Sequence, residues 1–233
     1  MTRGIPVLLS ISDHLSRRLR HSLGVCVVGL MALAASPAAL ADDTPTLLVM
    51  GDSLSAAYGI EQDEGWVSLL EARLDGKADV VNASISGETS SGGASRLPDL
   101  LGQHEPRIVL LSLGGNDGLR GLPPNQLEAN LAAMVEASRQ AGAEVLLLGI
   151  DIPPNYGQAY RDAFTDVFFR LADTQDVALL PFLLEGVALE DGMMQSDGIH
   201  PTNIAQPIIL DNVWPELAPL LERNGVAAPL SDG

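Results

Sequence analysis

Short apolar runs alternate with longer amphipathic stretches through most of the chain. Residues 46–50 (TLLVM), 78–83 (ADVVNA), 107–113 (RIVLLSL), 144–150 (EVLLLGI) and 177–182 (VALLPF) are nearly continuous in apolar side chains. That is the pattern of strands covered on both faces. Between them, apolar residues recur every three or four positions: Trp66, Leu69, Leu70 and Leu74; Leu127, Leu131, Met134 and Val135; Ala163, Phe164, Val167, Phe168 and Leu171. Those spacings predict helices with one buried stripe, and a last helix is expected from about residue 203 to 223. Strand–helix alternation of this kind predicts an α/β domain, a parallel sheet with helices on both faces. No internal repeat, low-complexity tract or linker interrupts residues 42–233. In such sheets, ligands bind outside the carboxyl ends of the strands. The residues just after each apolar run therefore matter most.

The amino terminus departs from this pattern. Arg3, Arg17, Arg18 and Arg20 precede an uncharged apolar run over residues 23–35, and Ala39-Leu40-Ala41 follows. A basic start, a short apolar run and an A-x-A site read as a secretory signal peptide, residues 1–41, cut after Ala41. An uncleaved anchor helix would need a longer span, ~20 residues. The expected location is outside the cytoplasm, in the periplasm or secreted, with no stable membrane anchor after cleavage.

Export changes the remaining composition. Residues 42–233 carry nine Lys and Arg against 29 Asp and Glu, more acidic than the whole chain's net charge of −17. So negative a surface repels nucleic acid and anionic lipid headgroups. Cys26 is the sole cysteine and lies in the leader, so the exported chain is expected to have no disulfide, thiol nucleophile or thiolate metal site. Only His104 and His200 remain, in no metal-ligand spacing. No metal or organic cofactor is expected, and the exported domain reads as a monomer.

Small and polar residues gather after the strands: Gly51-Asp52-Ser53-Leu54, Ser86-Gly87-Glu88-Thr89, Gly114-Gly115-Asn116-Asp117, and Asp151 to Gly157. Asp197-Gly198-Ile199-His200-Pro201 precedes the last helix. Loops are rich in such residues for conformational reasons alone. The test is whether they form a working set. A serine nucleophile needs a base, and imidazole suits because it titrates near neutrality. His104 precedes a strand, on the amino edge, and reads as a solvent-facing helix end. His200 stands three residues after Asp197, so one loop can supply base and orienting acid to Ser53. Pro201 is expected to start the last helix. Ser53 is expected to open a helix, which leaves its N–H free toward the crevice. Gly87, lacking a side chain, can bring its N–H close to a ligand, and Asn116 offers a side-chain amide. These three are the candidate oxyanion donors. Asp52 reads as a turn-holding residue rather than a catalytic acid.

Together these blocks resemble the SGNH (GDSL) hydrolase family: GDSL at 51–54, Gly87 in SISGET, GGND at 114–117 and DGIHP at 197–201. The longer stretches GDSLSAAYGI, VVNASISGETSSGGASRLPDLL, LGGNDGLRGL, LPFLLEGV and DGIHPTNIAQP resemble its periplasmic thioesterase I / protease I / lysophospholipase group over essentially all of 46–222. The resemblance implies a three-layer α/β/α flavodoxin-like sandwich with a five-stranded parallel sheet. It implies Ser53 as nucleophile, His200 as base, Asp197 as orienting acid, and an oxyanion hole of the Ser53 and Gly87 N–H groups and the Asn116 amide. It further implies hydrolysis of small acyl ester and thioester substrates: acyl-CoA, aryl and alkyl esters, and lysophospholipids. One departure is Asp151, where the resemblance implies arginine; the charge is reversed near the crevice.

The acyl chain needs an apolar surface. Residues 115–122 and 153–156 flank the crevice, and Leu119, Leu122, Asp151, Ile152 and Tyr156 are the expected substrate-binding residues. Two rival readings compete. A carbohydrate O-deacetylase of the same fold would want a broad aromatic platform, and aromatic residues are few. A non-catalytic module binding a phosphate ligand would want a glycine-rich phosphate loop or basic strand ends. Of the strand-end loops only Arg120 supplies such a charge, and Asp197 and His200 would be left without a role.

Overall fold

The computed structural model describes residues 44–227; the expected signal peptide lies outside them. Five strands form one wholly parallel sheet: β1 (Thr46–Gly51), β2 (Asp79–Asn82), β3 (Ile108–Ser112), β4 (Glu144–Leu148) and β5 (Ala178–Leu180). Their order is β2-β1-β3-β4-β5. The central strands β1 and β3 contribute Leu47 to Met50 and Ile108 to Leu111, none of them measurably exposed. Each fully buried side chain of this type stabilises the fold by roughly 1.5–3 kcal/mol. The apolar runs predict equal cover for all five strands, but β2 and β5 are only partly buried. They are the sheet's two edges, where one flank lacks a neighbouring strand.

Six helices accompany the sheet: α1 (Trp66–Leu74), α2 (Ser90–His104), the short α3 (Gly115–Leu119), α4 (Pro124–Gln140), α5 (Gln158–Gln175) and α6 (Gln206–Arg223). α1 packs on α6, while α2, α4 and α5 pack in a row, so one group covers each face. α2 is not announced by the apolar pattern, because Gly92, Gly93 and Pro98 interrupt it. Gly93 has a packing reason: a Cβ there would lie 2.3 Å from Leu113 Cδ1. The last helix starts at Gln206 with Pro207 in its first turn. Pro201, expected to start it, instead sits in an antiparallel bridge with Met194. His104 ends α2 ahead of β3, on the amino edge.

The chain leaves β1 to build β2 on one side, then crosses to build β3 on the other. The β1/β3 boundary is therefore the topological switch point, where a crevice opens at the carboxyl ends. Gly51 and Ser112 are register partners there. Ser53 and Asn116 follow directly from these two strand ends.

Candidate active site

The turn that carries Ser53 is built by glycine and a buried carboxylate. A Cβ on Gly51 would lie 2.8 Å from Ser55 Oγ and 2.8 Å from Ser84 Oγ, so only glycine lets these strand-end segments close together. Asp52 is buried. Its Oδ1 accepts from Leu54 N–H (3.1 Å) and its Oδ2 from Asn116 Nδ2 (3.2 Å). The helix expected at Ser53 is absent: residues 53–59 form successive turns. Ala57 takes a left-handed conformation (φ 54°), which a continuing helix forbids. Even so, among the described residues the Ser53 N–H meets no acceptor.

Burial pushes the Asp52 carboxyl up from 3.8 to about 6, against the lowering effect of its bonds to Leu54 and Asn116. The fold thus favours the protonated form. That contribution to stability is fully present below 3.8 and is lost as pH rises through about 6. Asp52→Asn removes the buried charge and keeps an acceptor for Leu54. Measured against the parent in urea unfolding, the variant should gain about 3 kcal/mol between roughly pH 4 and pH 8. A difference that does not vary with pH would contradict the buried charge.

Gly87 occupies a tight turn closed by Glu88 N–H to Ile85 O (3.1 Å). Its φ of 80° is the left-handed region that the third position of a type II turn requires. An Arg120 Nη donates to Gly87 O (2.8 Å) and holds the turn. The Gly87 N–H has no acceptor among the described residues. The Asn116 amide carries two hydrogens, and one is directed to Asp52. Asp117 beside it is structural: buried, it accepts from Ser90 N–H (2.8 Å) and Ser90 Oγ (2.6 Å), tying the start of α2 to α3.

His200 and Asp197 share one closed loop. Asp197 Oδ1 accepts from Ile199 N–H (2.9 Å) and His200 N–H (3.0 Å), and Oδ2 meets His200 Nδ1 at 2.7 Å. His200 Nε2 lies 2.9 Å from Ser53 Oγ. The Tyr58 ring packs on the imidazole at 4.3 Å between centroids. The bond to the His200 side chain, helped by the two backbone N–H groups, holds the Asp197 carboxyl down at about 2. Asp197 is therefore ionised at any working pH.

Sequence reasoning missed the residue that ties this loop to the Ser53 turn. Gln195 Nε2 donates to Tyr58 O (2.8 Å) and Pro201 O (2.9 Å), while Gln195 N–H donates to His200 O (2.7 Å). Nothing in the motif spacing marks it.

A cleft of about 390 Å³ runs from Ser53 and His200 along the carboxyl edge. Leu119, Asp151 and Ile152 line it. Two expected substrate contacts do not: Leu122 and Tyr156 lie outside it. The Tyr156 hydroxyl turns back to donate to Leu119 O (2.7 Å), and Leu122 O accepts from the Tyr160 hydroxyl (2.6 Å). Tyr156 thus braces Leu119 in the wall, while the Leu122 carbonyl anchors Tyr160. The facing wall lies outside the sequence expectations; it comes from Phe182, Leu184, Ala188, Leu189, Met194 and Ile199. Its signal is the apolar run that continues past β5 as LPFLLEGV. The reversed charge at Asp151 also proves to be balanced, because Arg161 of α5 forms an ion pair with it in the cleft wall.

Among the described residues, no group of three or more His, Cys, Asp or Glu is placed to hold a metal ion. No helix among them is long and apolar enough to cross a membrane.

Residues 49–206 match the GDSL-like lipase/acylhydrolase family. The chain belongs to that family. It is a carboxylic ester hydrolase of the SGNH type. It is 56% identical to the esterase TesA of Pseudomonas aeruginosa over 76% of this chain and 89% of that one. It is 49% identical to the thioesterase 1/protease 1/lysophospholipase L1 of Escherichia coli, over 77% and 86% of the two chains. The crystal structure of a psychrotrophic esterase, EstA from Pseudoalteromonas sp., inhibited by monoethylphosphonate, superposes with a TM-score of 0.72. That match has 44% identity and covers 76% of this chain and 98% of that one.

Proposed function

We propose that this family member hydrolyses esters and thioesters of apolar acyl groups through an acyl-enzyme on Ser53. The observation that carries the reading is the unbroken series from Asp197 Oδ2 through both imidazole nitrogens to Ser53 Oγ, at 2.7 and 2.9 Å. Ser53 Oγ attacks the acyl carbonyl carbon as His200 Nε2 takes the hydroxyl proton. Asp197 holds Nδ1–H and stabilises the imidazolium. The carbonyl oxygen becomes an oxyanion and accepts from the Ser53 N–H, the Gly87 N–H and the second Asn116 amide hydrogen. Collapse expels the alcohol or thiol, which receives the proton from His200. Water then attacks the acyl-enzyme with His200 as base, releasing the acid and restoring Ser53. Oxygen esters and thioesters pass through the same oxyanion, so one site serves both. The cleft seats the acyl group. Residues 1–41 export the enzyme, and the periplasm is its working compartment.

A fluorophosphonate probe tests this directly. One equivalent should attach to Ser53, found by mass spectrometry of the peptide containing it, and hydrolysis of p-nitrophenyl butyrate should stop in proportion. Labelling elsewhere, or activity surviving full labelling, would overturn the reading.

A further inference from the structure

The cleft wall formed by the end of β4 and the start of α5 is apolar except at one place. There Asp151 and Arg161 form an ion pair, flanked by Ile150, Ile152 and Pro153. The pair is built in. Asp151 Oδ1 accepts from Ile152 N–H (2.7 Å), and Arg161 Nε donates to Ile152 O (2.8 Å). Both side chains keep some water, with 32% of Asp151 and 23% of Arg161 exposed. The guanidinium has five N–H donors, and these bonds use only some of them.

The pair's position along the crevice follows from the sheet. β4 lies two strands from β1, so the strand ends that lead to Asp151 and to Ser53 are roughly 10 Å apart along the carboxyl edge. An extended chain advances roughly 1.2 Å per bond. An acyl tail anchored at Ser53 therefore reaches the pair after about eight bonds. Up to that point each methylene lies on apolar wall, worth up to about fourfold in binding. Beyond it, further methylenes strip water from two charges and return no hydrogen bond.

We propose that the Asp151–Arg161 pair is the specificity-determining element of the acyl cleft, setting the preference at medium-length chains of about eight carbons. This rests on the acyl-enzyme reading above. It predicts that kcat/KM rises from p-nitrophenyl butyrate to octanoate and stops rising toward dodecanoate. Replacing the pair by the double substitution Asp151→Leu and Arg161→Leu should raise the dodecanoate-to-octanoate ratio by about tenfold. Asp151→Asn keeps an acceptor for Ile152 N–H but leaves the Arg161 charge unmatched. It should raise the ratio of mono-p-nitrophenyl suberate, whose free carboxylate reaches the guanidinium, to octanoate by roughly tenfold. Each protein's own butyrate turnover serves as its reference. If butyrate is turned over and either ratio equals the parent's, the pair does not set selectivity. If the double variant does not fold, the suberate ratio decides alone. If the folded parent hydrolyses no ester at all, the acyl-enzyme reading fails instead.

Discussion

Purified Ser53→Ala protein should hydrolyse p-nitrophenyl butyrate on the order of 10⁶-fold more slowly than the parent. Ser53 Oγ is the hydroxyl that His200 Nε2 meets, at 2.9 Å. Deleting it leaves the oxyanion donors and the cleft intact, so a residual acceleration over water remains. The fold should be unaffected. Among the described residues the hydroxyl's only side-chain partner is His200, at a partly buried position, and alanine fits the same backbone. Unfolding free energies from urea titration should agree to within about 0.5 kcal/mol. Turnover within tenfold of the parent would remove Ser53 from the mechanism.

Asp197→Asn should lower kcat by about 10⁴. The asparagine Oδ1 can still accept from the Ile199 and His200 backbone N–H groups, so the loop keeps its shape. Its amide, however, presents a donor to His200 Nδ1. The imidazole must then carry its proton on Nε2, facing Ser53, and cannot act as the base. A loss below tenfold on p-nitrophenyl butyrate would show that Asp197 does not set the tautomer. Acid should act on the same carboxylate. Its depressed pKa contributes stability that is present above 3.8 and lost as pH falls through about 2. The Asp197–His200 loop should therefore loosen only in strong acid.

The sheet is legible in the sequence because its interior strands are buried on both sides. Where regular helical stretches lie between them, continuous apolar runs fit little besides buried strands. α2 is not legible, because Gly93 serves close packing against Leu113, and in sequence a packing glycine looks like a helix breaker. The turn at Ser53 reads as a helix because the reversal depends on Ala57, a residue type with no preference for a positive φ. At the site, single residues with strong chemical character stand out: two remaining histidines, one of them with an acid three positions before it. Gln195 does not, since its role comes from reaching two carbonyls that lie far apart in sequence. The same holds for Arg161, whose charge reaches the cleft from the first turns of α5 and not from a strand end. Loop membership puts Leu122 and Tyr156 in the cleft, but neither lines it, and the Tyr156 hydroxyl turns back to Leu119 O.

The two hydrogen bonds of the proposed catalytic series differ in how much of the molecule they depend on. Asp197 and His200 are three residues apart, while His200 and Ser53 are separated by 147. The acid–base pair is a local object, held by one loop whose ends are clipped together by the Met194–Pro201 bridge. Ser53, the proposed nucleophile, joins it only when β1, the rest of the sheet and the entry to α6 are all in place. The complete series therefore requires long-range structure that a helix does not, which makes turnover a stricter gauge of the native state than helix content.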